Sequence, residues 1–216
     1  MSDIESILRL DWDIPYKPYP PKVITLPSGD KMVVREVKRD EVPLLLDAIR
    51  PYTTIEKDYY DIVAARQYAE LLGWYRYRVR NEFCLIGVVN GELAGIVNNR
   101  AYDQRLHISL HTMALKRGVR AGAHLFAAKQ EHSIEKLGAE EILVTAESPI
   151  GFRRWMEEWK LQPRPGLQHE LGGATPYAIT RDLYYQVKPF KVFGERPVPE
   201  DLLKESAKFK IPPVQV

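Results

Sequence analysis

Cysteine is nearly missing from this chain of 216 residues: Cys84 stands alone, so no internal disulfide can form. Its neighbours Phe83, Leu85 and Ile86 are apolar, which reads as a buried strand thiol rather than a nucleophile. Net charge is small as well. The 31 Lys and Arg against 29 Asp and Glu leave +2, which gives no general attraction to nucleic acid or to an anionic membrane. No apolar run approaches the roughly 18–20 residues of a membrane span. The opening stretch, MSDIESILRLDWDIP, carries acidic residues early and lacks the apolar centre of a secretory signal. The expectation is a cytoplasmic protein, or one made in the cytoplasm and then assembled into a larger particle. The histidines form no metal-binding spacing with cysteine or clustered acids, so no metal is expected. No Gly-x-Gly-x-x-Gly follows a first strand and no Gly-Lys-Ser/Thr ends a glycine-rich loop, which argues against dinucleotide-binding and phosphate-loop NTPase readings.

What is present is a globular composition, 45% hydrophobic, with proline concentrated near both ends. Residues 1–30 read as an extended arm. The segment from Pro15 to Pro21 holds four prolines in seven residues, and proline fixes φ and lacks an N–H. The core reads from Lys31 to Tyr184. A strand over Lys31–Val37 precedes a helix capped by Asp40, with Val42, Leu45, Leu46 and Ile49 at helical spacing and Pro51 as its stop. A second helix covers Tyr59–Leu72. Strands at Phe83–Val89 and Glu92–Asn98 flank Asn90-Gly91, a strong hairpin signal because both turn positions need positive φ. A strand over Leu106–Leu115 leads through a glycine-containing loop into a helix over Ala123–Leu137, closed by Gly138. A short apolar strand, Glu141–Ala146, precedes a helix over Pro149–Trp159, and Tyr177–Tyr184 reads as a last strand. Residues 185–216 form a proline-rich extension with one short helix over Pro199–Phe209.

The stretch Trp74-Tyr75-Arg76-Tyr77-Arg78-Val79-Arg80 alternates aromatic or apolar with basic residues. It reads either as a binding strip for an acidic partner or as a half-buried segment with a solvated basic face.

The unit most informative about chemistry is strand, loop, helix, strand across residues 106–148. A loop feeding a helix N-terminus presents unpaired N–H groups and the positive end of the helix dipole, a ready site for a pyrophosphate. Here the chain resembles the GNAT acetyltransferases, whose loop Arg/Gln-x-x-Gly-x-Gly/Ala cradles the pyrophosphate of acetyl-CoA after the fourth strand of that fold. Arg117-Gly118-Val119-Arg120-Ala121-Gly122 matches its first and last positions, with Arg120 at the fourth. The Leu137-Gly138-Ala139 exit and the Glu147-Ser148-Pro149 segment also fit the family's order.

The resemblance implies an α/β (α+β) fold with a mixed, mostly antiparallel central sheet flanked by helices. It implies acetyl transfer from acetyl-CoA, as cosubstrate, to a primary amine on a small molecule or protein. The loop from Arg117 through Ala123, together with Ser148, would hold the cofactor, and fourth-strand backbone at Met113 and Leu115 would hold the pantetheine arm and supply an oxyanion donor.

For the base, His107 and His111 stand four apart in a strand, hence on one face by simple alternation, with His111 nearer the loop and preferred. Glu147, at a strand end, is the next candidate, and Glu92 reads as solvated. Trp155 stands where the family often has a tyrosine that protonates the leaving thiolate. That departure, with Arg120 and the two arms, supports a second reading: a structural or assembly protein of this fold, catalytically weak or inactive, its arms wrapped around neighbouring subunits of an oligomer.

Overall fold

The computed structural model describes residues 3–146, 148–168 and 175–215. Eight strands form one sheet: β1 (Lys22–Thr25), β2 (Lys31–Glu36), β3 (Glu82–Val89), β4 (Glu92–Ala101), β5 (Leu106–Ala114), β6 (Glu141–Val144), β7 (Gln162–Pro163) and β8 (Tyr177–Thr180). Their spatial order is β1-β2-β3-β4-β5-β6-β8-β7. Every pair is antiparallel except β5 and β6. The helices are α1 (Asp3–Leu8), α2 (Val42–Ile49), α3 (Tyr60–Tyr75), α4 (Ala121–Glu131), α5 (Pro149–Gly151), α6 (Arg181–Lys191) and α7 (Glu200–Ser206). Both α4 and α5 run on into π-helical turns, His132–Lys136 and Phe152–Glu157. This is the mixed, mostly antiparallel architecture that the resemblance implies.

The sheet buries two faces. Against one lie α2 and α3, where Val42, Leu45, Ile49, Leu71 and Trp74 pack on Ile86, Val88, Ile96 and Met113. Against the other lies α4, where Leu125 and Ala128 meet Met32, Phe83, Leu85 and Val97. Burying each such side chain contributes about 1.5–3 kcal/mol. The α4 axis comes close because Gly95 lacks a side chain: a Cβ there would stand 2.8 Å from the Met113 carbonyl oxygen and 2.9 Å from Leu125 Cδ1. A third cluster, around Phe126, Ile142, Trp159, Ile179 and Tyr184, closes the β6–β8 end.

Several boundaries move. The span read as an arm contains β1, in register with β2 from Lys22↔Val34 to Thr25↔Lys31. Tyr19, Ile24 and Leu26 are buried there. The last strand stops at Thr180, whose hydroxyl caps α6 by accepting from the Leu183 N–H, so residues 181–184 are helical. The C-terminal extension also joins the body: Phe209 enters the α2/α3 core, and Lys210 exchanges backbone hydrogen bonds with Gly91 and Leu93. Val23 and Glu195 bond reciprocally, tying one extension to the other. Beside that seam, buried Lys22 meets Glu131 at 2.7 Å, and Arg196 meets the same carboxylate at 3.0 Å.

The Trp74–Arg80 stretch is not extended. It finishes α3 and turns through Tyr77 at φ +56. Its rings are occupied, with Arg39 over Trp74 and Tyr77, and Arg9 over Tyr77. Its backbone receives the N-terminal extension through Leu10 N–H to Tyr77 O at 2.8 Å.

Candidate functional site

The site follows from the one parallel pair. β5 and β6 run together from Leu106↔Glu141 to Ser109↔Val144 and then part. The gap widens into a cleft of about 360 Å3 between β5, the end of β6, the loop before α4, and α5 with its π turn.

A β-bulge shapes the β5 wall. Asn99 faces Ser109 but Val97 faces Thr112, so Asn98 stands opposite both Leu110 and His111. The His111 N–H is satisfied by the Asn98 side chain, at 3.1 Å from Oδ1. The inserted residue reverses both kinds of alternation along β5. Before it, Ser109 meets Gln130 of α4, and His107 lies near His132 just beyond α4. After it, Thr112 and Ala114 face α4 at Gly122, while Met113 joins the α2/α3 core. His111 alternates with Met113's neighbours and so turns its side chain to the α3 face. His107 and His111 therefore occupy opposite faces, contrary to the spacing argument. His111 is 1% exposed and does not line the cleft.

The backbone parity reverses too. Leu115 donates its N–H to Ala94 O at 2.9 Å, so the Leu115 N–H, and the backbone of Met113 two residues before it, point into the ladder with β4, while the Leu115 carbonyl accepts from the Tyr52 hydroxyl at 3.5 Å. Thr112 and Ala114 point theirs away from β4, toward the opening. The expectation that Met113 and Leu115 supply the cleft-facing backbone is corrected accordingly. Met113 is still among the residues that line the cleft.

The loop before α4 enters that helix through a left-handed residue. Arg120 is the N-cap of α4 at φ +56, ψ +24. That left-handed conformation is the physical reason for glycine at the fourth signature position. Arginine adopts it at a cost of about 1–2 kcal/mol. Its side chain is exposed at the cleft rim and leaves the cleft open. The amides of Ala123 and His124 return to Arg120 O. Among the described residues, none accepts from the amides of Gly118, Val119, Arg120, Ala121 or Gly122.

Arg117 differs. Its N–H donates to Gln215 Oε1 at 2.8 Å, its Nε reaches Gln215 O at 3.4 Å, and its guanidinium lies 3.8 Å from Asp58 and over the Tyr60 ring. Ser148 lines the cleft while capping α5, accepting from the Gly151 N–H at 3.1 Å. Trp155 stacks on Phe126 with centroids 4.1 Å apart, an apolar wall on the β6 side. Glu147 lies outside the described residues.

Spacing alone missed the support behind β5. Asn98 donates to Glu82 Oε1 at 2.9 Å. Glu82 is buried and paired with Arg100, which also reaches Glu70 of α3. Burial pushes the Glu82 carboxyl above the ordinary glutamate range, against the pull of Arg100. From the other face, Lys129 of α4, 0% exposed, donates to His111 O at 3.0 Å and Asn98 O at 3.3 Å. A signal existed for Lys129: it stands four residues after Leu125, within the apolar stripe of its helix.

Among the described residues no group of three or more His, Cys, Asp or Glu could hold a metal, and no helix is long and apolar enough to cross a membrane.

No protein-family model matches this chain, and no curated protein matches its sequence. Solved structures do match its fold. The GNAT domain of PAT from S. lividans superposes with a TM-score of 0.55 at 11% identity, covering 77% of this chain and 99% of that one. FdhC, a nucleotide-linked sugar GNAT, gives 0.54 at 12%, covering 80% and 96%. Mutant forms of the spermidine/spermine N-acetyltransferase SpeG from Vibrio cholerae give 0.51 at 14%, covering 72% and 96%. The chain has the GNAT fold.

Proposed function

We propose that this chain is an N-acetyltransferase that moves an acetyl group from acetyl-CoA to a primary amine. The observation that carries the reading is the row of amides from Gly118 to Gly122, engaged by none of the described residues, at the N-terminus of α4 and beside the gap between β5 and β6. Those amides, with Arg117 and Arg120, suit the diphosphate of the cosubstrate. The parted strands offer backbone groups at Thr112 and Ala114 for the pantetheine arm, and the Phe126–Trp155 wall suits its apolar stretches.

In the reaction the amine nitrogen attacks the thioester carbonyl, the C–N bond forms and the C–S bond breaks. The ammonium gives up two protons on the way to the amide: one leaves before the attack, and the other is taken up by the leaving sulfur as the C–S bond breaks. An N–H directed at the carbonyl oxygen stabilises the charge that develops there. His111, buried and away from the cleft wall, contributes through its backbone, and the ammonium proton passes to solvent in the open cleft. Glu147 is the remaining side-chain candidate for that proton. The acceptor is an amine whose class lies in the variable loops, since SpeG is a polyamine enzyme and FdhC a nucleotide-linked sugar enzyme within one fold.

For the assembly reading the extensions offer the exposed apolar side chains Ile4, Ile7 and Phe190. Tyr19, Ile24 and Phe209 are spent on this chain's own core.

Calorimetric titration with acetyl-CoA tests the proposal. Binding is expected, and Gly122→Asp, which places a carboxylate among the loop amides and near Ala114, abolishes it. No heat at millimolar acetyl-CoA with the unaltered chain would overturn the reading.

A further inference from the structure

A buried lysine is costly unless its ammonium is fully used, so Lys129 requires an account. It lies in the middle of α4, 0% exposed, with its Nζ 5.5 Å from the Phe126 ring. Two of its acceptors lie together. Asn98 O and His111 O belong to the two strands that meet at the β-bulge, one carbonyl from each side.

A trans peptide points its C=O and N–H in opposite directions. The carbonyl of His111 and the N–H of Thr112 belong to one peptide unit. With the carbonyl held by Lys129 on the β4 side, the Thr112 N–H is directed away from β4, toward the opening. Thr112 lines the cleft there. A hydrogen bond from a cation to the carbonyl of a peptide draws electron density toward that oxygen and makes the N–H of the same unit a stronger donor, by about 10–30% per bond in a chain.

We propose that Lys129 is a positioning residue of the acyl-transfer site. Its buried ammonium fixes the bulge and polarises the His111–Thr112 peptide, so that the Thr112 N–H serves as the donor to the thioester oxygen. The inference rests on the acetyl-transfer reading and adds to it the group that prepares the oxyanion donor. Lys129 touches neither substrate nor reacting atoms. It acts through one peptide bond, from the face of the sheet opposite Asn98's link to Glu82.

The test uses the full chain and acetyl-CoA labelled with carbon-13 at the thioester carbonyl. On binding, the carbonyl resonance is expected to move downfield, as for a carbonyl accepting a strong hydrogen bond. Lys129→Met keeps the length of the side chain and removes the charge. It is expected to bind CoA without the acetyl group as the unaltered chain does, and to lose most of the downfield shift. A variant that binds and keeps the full shift overturns the role of Lys129 and leaves the acetyl-CoA reading standing. No binding by the unaltered chain overturns both. Should Lys129→Met not fold, the unaltered chain still decides: the Thr112 amide proton and the Lys129 ammonium nitrogen both respond to acetyl-CoA and not to CoA. Silence of either overturns the proposal.

Discussion

The backbone N–H of Arg117 donates to Gln215 Oε1 at 2.8 Å. The first amide of the loop before α4 is thus held by the chain's own C-terminal extension. The same glutamine is anchored from its other side, its N–H donating to Tyr52 Oη at 3.2 Å. A diphosphate seeking the Arg117 amide and guanidinium competes with this residue. Replacing Gln215 by Ala removes one competing hydrogen bond, worth about 0.5–1.5 kcal/mol. Acetyl-CoA affinity is then expected to rise about two- to tenfold, read by calorimetry. Weaker binding would show that the glutamine builds the site rather than competing for it.

Acid sensitivity should come from the α4 face. Burial lowers the pKa of His107 to about 4, opposed by Asp103, and lowers that of His132 to about 3, with His107 adding to the effect. Neither ring has a hydrogen-bond partner among the described residues. Both folded values lie below the ordinary histidine value, so the unfolded chain takes up protons first as pH falls. The stability from keeping these rings neutral is present above about pH 6.5 and is lost as pH falls toward 4, about 3 kcal/mol for His107 alone. Melting temperature should drop between pH 7 and pH 5. His132→Phe, placed among Tyr19 and Phe83, should make that drop shallower.

Removing the cation from the Glu82 pair should be severe. Arg100→Met takes the charge partner from the fully buried Glu82, whose carboxyl burial already pushes up to about 8, so the full cost of about 3–5 kcal/mol falls above that pH. The Glu82 pKa, already raised by burial, rises further once the opposing arginine is gone. The deficit relative to the unaltered chain should therefore shrink as pH falls and Glu82 is protonated. Urea denaturation at pH 9 and pH 5 measures both parts. An equal deficit at the two values would show that Glu82 does not change its charge between them.

Gly95→Ala tests the approach of α4. The added methyl meets Met113 O and Leu125 Cδ1 inside contact distance, so a loss of about 1–3 kcal/mol is expected in urea denaturation. Because Leu125 is flexible and the Met113 carbonyl is not, the backbone of β5 must give way, and acetyl-CoA affinity should fall with stability.

Much of the architecture was legible because local chemistry and long-range order agreed. Asn90 and Gly91 take φ +50 and +70, the turn their identity demands. The loop from Arg117 to Gly122 sits between strand and helix as its glycines and its following apolar stripe require. The bulge was not legible. Nothing in His107-Ile108-Ser109-Leu110-His111-Thr112 marks one residue as unpaired, since the insertion is set by Asn98 and Lys129, ten or more positions away. That single residue moved His111 to the other face and exchanged Met113 and Leu115 for Thr112 and Ala114. β1 was hidden for a different reason. The prolines before it argued correctly for extended backbone, but extended backbone with Val23 and Ile24 can equally be a strand once β2 offers it an edge.

The reciprocal bonds between Val23 and Glu195 carry a mechanical consequence. Segments far apart in sequence are stitched together at the rim of the sheet, over the Lys22–Glu131–Arg196 charges. A pull on either extension loads this stitch before it reaches β5. Tension from a tag or a tethered neighbour would be absorbed at the rim, and the parted strands would keep their spacing.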